Sequence, residues 1–454
     1  MTKTINMTTG KPAKLLFLFA LPLMFGNVFQ QLYRVVDTAI VGQGVGMEAL
    51  AALGTTDWLC WMVLAVAQGF TQGFCVLMSQ KFGEGDTAGL RRTIGVSMGL
   101  TIVITLIVEV LSQALLPFAM TMLRVPTELY GTAEVYARIF FLGIPAAMYY
   151  NFTSSILRSV GDSKTPLYAM IISSIINVVL DIVAVFSLGW GVAGAAWATV
   201  FAQCCAGAVC TVRIIRTPLL HFGKKDMKPN GRLIGKLLYL GCPISFQCII
   251  ISIGCMFLQT VINDYGTAFI AGFAATNKLY GLLEMAAISY GAAITTYVGQ
   301  NYGAKNMERI RQGIRAAIWI SLVTSAIFCV IMLLLGKQFA LLFISSESPE
   351  LLSAACDVAY TYLAAMSFGL PILYLLYVYL NVMVGMGKTI LPMISGMVEC
   401  SIRVVIALLA SYWLGKNCLY FAEPAAWLGA TILMASSYYI TMHIYKRREK
   451  LKKE

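Results

Sequence analysis

A chain of 454 residues with 59% hydrophobic and only 12% charged side chains is far from a soluble composition, in which about a quarter of residues carry charge. Lipid is the solvent it requires, and a formal net charge of +12 finds its first explanation in topology and anionic lipid rather than nucleic acid. The 12 cysteines sit almost wholly in apolar stretches without metal or redox spacing, so they read as small buried hydrophobes.

Taken in chain order, apolar stretches lie near 15–42, 53–78, 93–118, 132–157, 166–189 and 192–212, then near 238–262, 270–298, 314–336, 356–384, 390–414 and 420–445. Each is long enough, at about 1.5 Å per residue, to cross a hydrocarbon core of roughly 30 Å. The runs are long and unbroken, which predicts helices rather than the short alternating strands of a membrane barrel. No cleavable leader is read at either end, and the first span is expected to serve as its own targeting signal.

Orientation follows from Lys and Arg, which cytoplasmic loops retain. With both termini inside, inner segments hold Lys3, Lys11, Lys14, Lys81, Arg91, Arg92, Arg158, Lys164, the run from Arg213 to Lys236, Lys305 to Arg315, Lys388 and the tail; outer loops hold only Arg124, Arg138, Lys337 and Lys416.

The chain also matches itself at an offset near 220. AALGTTDWL (51–59) sits beside AGFAATNKL (271–279), and SQKFGEGD (79–86) beside GQNYGAKN (299–306); FLGIP (141–145) matches SFGLP (367–371), and VGDSKTP (160–166) matches MGKTILP (386–392). Six spans return the chain to its starting side, so the repeat is parallel. The expected fold is an all-α polytopic membrane protein with twelve transmembrane helices in two six-helix lobes, related by a pseudo-two-fold along the membrane normal. The N-terminal lobe is expected over 1–214, a cytoplasmic linker over 215–236, and the C-terminal lobe with a basic tail over 237–454. Two such lobes with a cavity at their interface suit alternating access.

An ionisable side chain at a helix centre costs about 2.5 to 3.5 kcal/mol on insertion scales, so Arg34, Asp37, Glu109, Asp181, Lys278, Glu284, Glu399 and Arg403 each need a reason. Asp37 and Asp181 both fall in the outer half of the bilayer. Asn177 precedes Asp181 by one helical turn on the same face, and Thr199 on the next span reaches a similar depth. Two carboxylates, an amide and a hydroxyl could form a proton site or hold sodium. The matching positions in the second half are approximately Leu258, Arg403 and Ala407, so ion coupling is expected in the first lobe. The competing reading is an Arg34–Asp37 pair. Glu399 and Arg403 are spaced for a local ion pair. Glu284 could bind a cationic substrate or pair with Lys278. Gln30, Tyr33, Arg34, Trp61, Met62, Tyr149, Tyr280, Glu284 and Arg403 are candidates to line a cavity for flat apolar cations.

LPLMFGNVFQQLYRVVDTAIVGQGVGMEALAALG (21–54) and TTYVGQNYGAKNMERIRQG (295–313) resemble the multidrug and toxic compound extrusion (MATE) family, and the similarity runs through the whole chain. The resemblance implies a proton- or sodium-coupled antiporter that expels organic cations through a cleft between two six-helix lobes. It also implies that Asp37, Asn177, Asp181 and Thr199 form the first lobe's cation site. Two departures stand out. Arg34 replaces an asparagine frequent in the family, which would lower the proton affinity of Asp37. Gln247 stands where some branches carry an acid in the second lobe.

The expected cofactor is none beyond a coupling proton or sodium, the latter at Asp37, Asn177 and Asp181. The expected partners are a small organic substrate and lipid, with no nucleic acid, for a monomer in the cytoplasmic (inner) membrane of a bacterium. A lipid-linked oligosaccharide flippase is the alternative within the same superfamily, and it would need a strongly basic cavity. A major-facilitator transporter is weaker still. An enzyme is disfavoured: the two histidines, His221 and His443, stand apart from other chemistry, and no phosphate-binding loop occurs.

Overall fold

The computed structural model describes residues 5–123, 125–341, 343–344 and 349–451, and within them leaves aside the side chains of residues 47, 48, 50, 57, 58, 414, 449 and 450. Lys3 and Arg124, counted above for orientation, lie outside the described residues. Helix dominates the rest. The helices are α1 (Pro12–Gly44), α2 (Met47–Glu84), α3 (Thr87–Met122), α4 (Thr127–Leu142), α5 (Ile144–Ser159), α6 (Lys164–Ile182), α7 (Gly191–Ile215), α8 (Gly231–Asn263), α9 (Thr267–Gly303), α10 (Met307–Leu341), α11 (Pro349–Gly385), α12 (Ile390–Leu409) and α13 (Ala422–Leu451).

Ten helical segments among the described residues are, by length and composition alone, apolar enough to cross a membrane. The two spans missing from that count have local causes. α4 and α5 have 16 residues each and meet at Gly143, where Pro145 sits in the first turn of α5, a position whose missing N–H costs nothing. Together they make one interrupted span. α9 has 37 residues, ample length, but Asn277, Lys278 and Glu284 dilute its hydropathy.

The chain folds into two units. The first comprises Met1–Thr9, Leu18–Cys248 and Gly299–Asn306; the second comprises Gly10–Phe17, Ile249–Val298 and Met307–Glu454.

Within the first unit, small residues bring helices close together. The buried face of α7 is Ala195, Ala196, Ala198, Ala202, Ala206 and Gly207, and Ser173 of α6 donates to the Ala202 carbonyl at 2.8 Å. In lipid, such backbone-to-backbone approach replaces the hydrophobic drive that water would supply. The two matching sequence motifs meet here as well. A Cβ on Gly83 would lie 1.8 Å from the Gln300 carbonyl oxygen, and one on Gly303 would lie 2.0 Å from that of Gln80. The ends of α2 and α9 thus cross with equivalent residues in reciprocal roles, and nothing larger than glycine fits at either.

The segment before α1 is fastened to that crossing. Met7 is fully buried. Its N–H donates to Gln300 Oε1 at 2.8 Å, and its carbonyl accepts from Asn301 Nδ2 at 3.2 Å. Gln300 also donates to the Ser159 carbonyl at 3.0 Å.

The second unit is built more on aromatic stacking. Phe273 stacks on Tyr362 with ring centres 4.0 Å apart, and Tyr280 stacks on Trp427 at 5.4 Å. The repeat persists in backbone detail. Short π-helical turns, Val183–Ser187 and Ala410–Leu414, follow α6 and α12 at matching places, and the left-handed Gly85 after α2 has its counterpart in Lys305 after α9, at φ 73° and 57°.

Candidate functional site

The buried face of α6 runs Thr165, Pro166, Ala169, Met170, Ser173, Ser174, Asn177 and Asp181. A membrane helix that buries its polar residues and turns isoleucine and valine outward is an inverted amphipath, and lipid as solvent dictates that inversion. One turn separates Asn177 from Asp181, so both side chains leave the helix on the same side. Directly after them the helix widens into the π turn Val183–Ser187, a distortion found often at functional sites.

Asn177 donates from Nδ2 to Thr199 Oγ1 of α7 at 3.3 Å. Asp37, on α1, adjoins Asp181 closely enough for the two carboxyl groups to share a proton. Asp181 is wholly buried and Asn177 nearly so. Neither oxygen of Asp181, nor Oδ1 of Asp37, nor Oδ1 of Asn177 receives a hydrogen bond from a donor among the described residues.

Four oxygens without donors in an apolar interior form an incomplete arrangement. Two ionised carboxylates side by side repel, and a bond between two carboxyls requires a proton on one of them. What completes the set is a proton or a small hard cation with oxygen ligands. Among the described residues no group of three or more His, Cys, Asp or Glu is disposed to hold a metal ion.

Arg34 does not neutralise this pair. Among the described residues, the ion pairs of the first unit are Lys81–Glu84, Lys81–Asp86, Arg138–Glu134 and Arg213–Asp162, and none joins Arg34 to Asp37. Gln30, Arg34 and Met62 are half-buried, Tyr33 is buried and Trp61 is exposed. Tyr149 is committed to packing inside its unit: its hydroxyl lies 2.6 Å from Thr211 Oγ1, and its ring occupies the space over Gly207.

The remaining candidates belong to the second unit. Tyr280 stacks on Trp427. Glu284 accepts a hydrogen bond from Tyr377 at 2.9 Å, whereas Lys278 is exposed and forms no ion pair among the described residues, so the expected Lys278–Glu284 contact is not made. Arg403 pairs with Glu399 at 3.3 Å, as the spacing predicts, and more tightly with Glu423 at 2.7 Å. Glu423 escapes a reading of the sequence because it opens α13, where an acid reads as an interfacial residue. The hairpin from α12 to α13 is what returns it beside Arg403.

With the geometry in place, comparison with known proteins gives it a family. The MatE family model matches residues 22–183 and again 243–409, one stretch in each half. A probable multidrug resistance protein YpnP of Bacillus subtilis is 27% identical over 416 residues, covering 91% of this chain and 92% of that one. A second Bacillus subtilis protein, the probable multidrug resistance protein YoeA, is 27% identical over 338 residues, 73% of each chain. The crystal structure of MATE in complex with MaL6 superimposes with a TM-score of 0.88 at 24% identity, covering 98% of this chain and 100% of that chain; this likeness speaks for the two-lobed, twelve-helix fold. The chain belongs to the MatE family of multidrug and toxic compound extrusion transporters.

Proposed function

We propose that this chain exports organic, cationic or amphipathic compounds across the cytoplasmic membrane by alternating access, driven by inward flow of a proton or sodium ion through Asp37, Asn177, Asp181 and Thr199. The observation that carries this reading is the set of four donor-less oxygens in the first unit, centred on a fully buried Asp181. A membrane interior holds such a set only if something enters to complete it. Loading with a cation removes the repulsion between the carboxylates and draws α1 towards α6; unloading releases it. One charge moved down 100 mV supplies about 2.3 kcal/mol, more than a tenfold uphill gradient of solute requires. Both termini face the cytoplasm in this reading, which puts the Arg213–Lys236 loop and the tail against anionic lipid.

The test is efflux of a fluorescent organic cation from proteoliposomes with proton and sodium gradients imposed separately. One of the two gradients drives export in the native chain. Asp37→Asn and Asp181→Asn abolish that drive while the purified protein stays folded. Full export by both variants overturns the assignment.

A further inference from the structure

A second charged cluster stands in the other unit and takes no part in the reading above. Arg403 of α12 is 3% exposed. It grips Glu423 of α13 with two prongs, Nε to Oε1 at 2.9 Å and Nη2 to Oε2 at 2.7 Å. The same Nη2 reaches Glu399 Oε2 only at 3.3 Å, and Nη1 is buried with no acceptor among the described residues. Glu284 of α9 completes the cluster, accepting from the Tyr377 hydroxyl. The other titratable groups facing it are Cys255 of α8, Tyr280 of α9 and Tyr362 of α11, all neutral.

Three carboxyls therefore surround a single fixed positive charge. With all three ionised the cluster would hold two uncompensated negative charges in a region where even one is costly. Glu423 has a full two-pronged pair, the strong form of carboxylate recognition. Glu284 has phenolic donors. Glu399, 5% exposed, has one long shared contact, yet it sits one turn from a guanidinium with a spare N–H. An ionised carboxylate so placed would turn to take Nη1. Its failure to do so is the geometry of a neutral acid.

We propose that Glu399 is a proton-binding site of the second lobe, separate from Asp37 and Asp181, and that Arg403 reports its occupancy. With the proton bound, Arg403 belongs to Glu423, and α12 and α13 are tied by that pair. When the proton leaves to water, Glu399 becomes a carboxylate and claims Nη1, so that the guanidinium is shared between two helices' acids. No other bond changes in the exchange.

Infrared spectroscopy of the purified full-length chain tests this, because a protonated carboxyl in an apolar site has its own carbonyl band. The background variant carries D37N, D181N and E284Q, which removes the other buried acids. The expected result is one protonated-carboxyl band at neutral pH that bleaches on alkalinisation and vanishes on adding E399Q. Absence of the band in the background variant, or its survival in E399Q, overturns the proposal. If the multiple variant does not purify, the single E399Q variant of the native chain gives the same decision: the band loses the area of one carboxyl, and an unchanged area overturns the site. The readout is independent of transport, so failure of gradient-driven export would leave it standing and would count only against the coupling role of the first lobe.

Discussion

α6 and α12 occupy matching places in the two halves, yet they treat charge in opposite ways. α6 carries Asn177 and Asp181 on its buried face, and the acid there has no donor among the described residues. α12 carries Arg403 and Ala407 at the corresponding positions, both buried, and the arginine is held by two acids. Both helices end in the same π-helical turn. The backbone was duplicated and kept; the chemistry was not. An unpartnered acid is a site waiting for a ligand, whereas a paired arginine is a fastening that stabilises its neighbours.

The contrast breaks most visibly at Asp181. Neutralising an acid that must bind the coupling ion removes the driving force itself. Asp181→Asn is therefore expected to lower gradient-driven export by at least about tenfold, with thermal unfolding in detergent unchanged or slightly raised, since a donor-less buried carboxylate is a stability cost. A variant that lost stability and transport together would place Asp181 with the fastenings.

Arg403 predicts the reverse profile. Arg403→Ala leaves Glu399 and Glu423 buried against each other without a counter-charge, and breaking a buried pair in this way costs about 3 to 5 kcal/mol. The expected outcome is a much lower unfolding temperature, or failure to purify. Arg403→Ala with Glu423→Gln should recover part of the loss, because one of the orphaned charges is gone.

How far these features can be read in sequence depends on how local they are. The twelve spans are visible because a bilayer demands a long apolar run from each. The Asn177–Asp181 and Glu399–Arg403 spacings are visible because one helical turn is a fixed distance. Glu423 is not, since its role depends on a loop that folds α13 back beside α12. The hold of Gln300 and Asn301 on Met7 is also hidden. It joins residues almost three hundred positions apart, and nothing in VGQNYG distinguishes a buried amide pair from a polar loop. Arg34 misleads because proximity along α1 suggests a partner for Asp37, whereas that ion pair is not formed.

The crossing of α2 and α9 offers a smaller effect that tests whether the duplicated backbone is as constrained as its geometry implies. Gly303→Ala puts a methyl group 2.0 Å from the Gln80 carbonyl oxygen, and since the obstacle is backbone, a helix must shift. Overpacking of this kind costs about 1 to 3 kcal/mol. Gly83→Ala should match it, its counterpart meeting the Gln300 carbonyl. Equal losses in unfolding temperature would confirm reciprocity; a tolerated Gly303→Ala would show that only one half depends on the approach. Gly99, with open space around its Cβ position, is the control.

The smallest effect lies outside the membrane, at Asp86. Its carboxylate caps α3 by accepting the Gly89 N–H at 2.8 Å, and Lys81 approaches it at 3.0 Å. The capping N–H, with Lys81 second, holds its pKa below the usual 3.8. A depressed folded-state pKa makes the contribution fully present above the unfolded value and lost as pH falls through the folded one. Asp86→Ala should therefore lower stability by about 0.5 to 1 kcal/mol near neutrality, and the difference from the native chain should shrink below about pH 4. The matching position in the second half is Asn306, an uncharged capping residue type whose replacement by alanine should show no such acid dependence. A pH-dependent loss in Asp86→Ala and a flat one in Asn306→Ala would extend the contrast between the halves to their cytoplasmic ends.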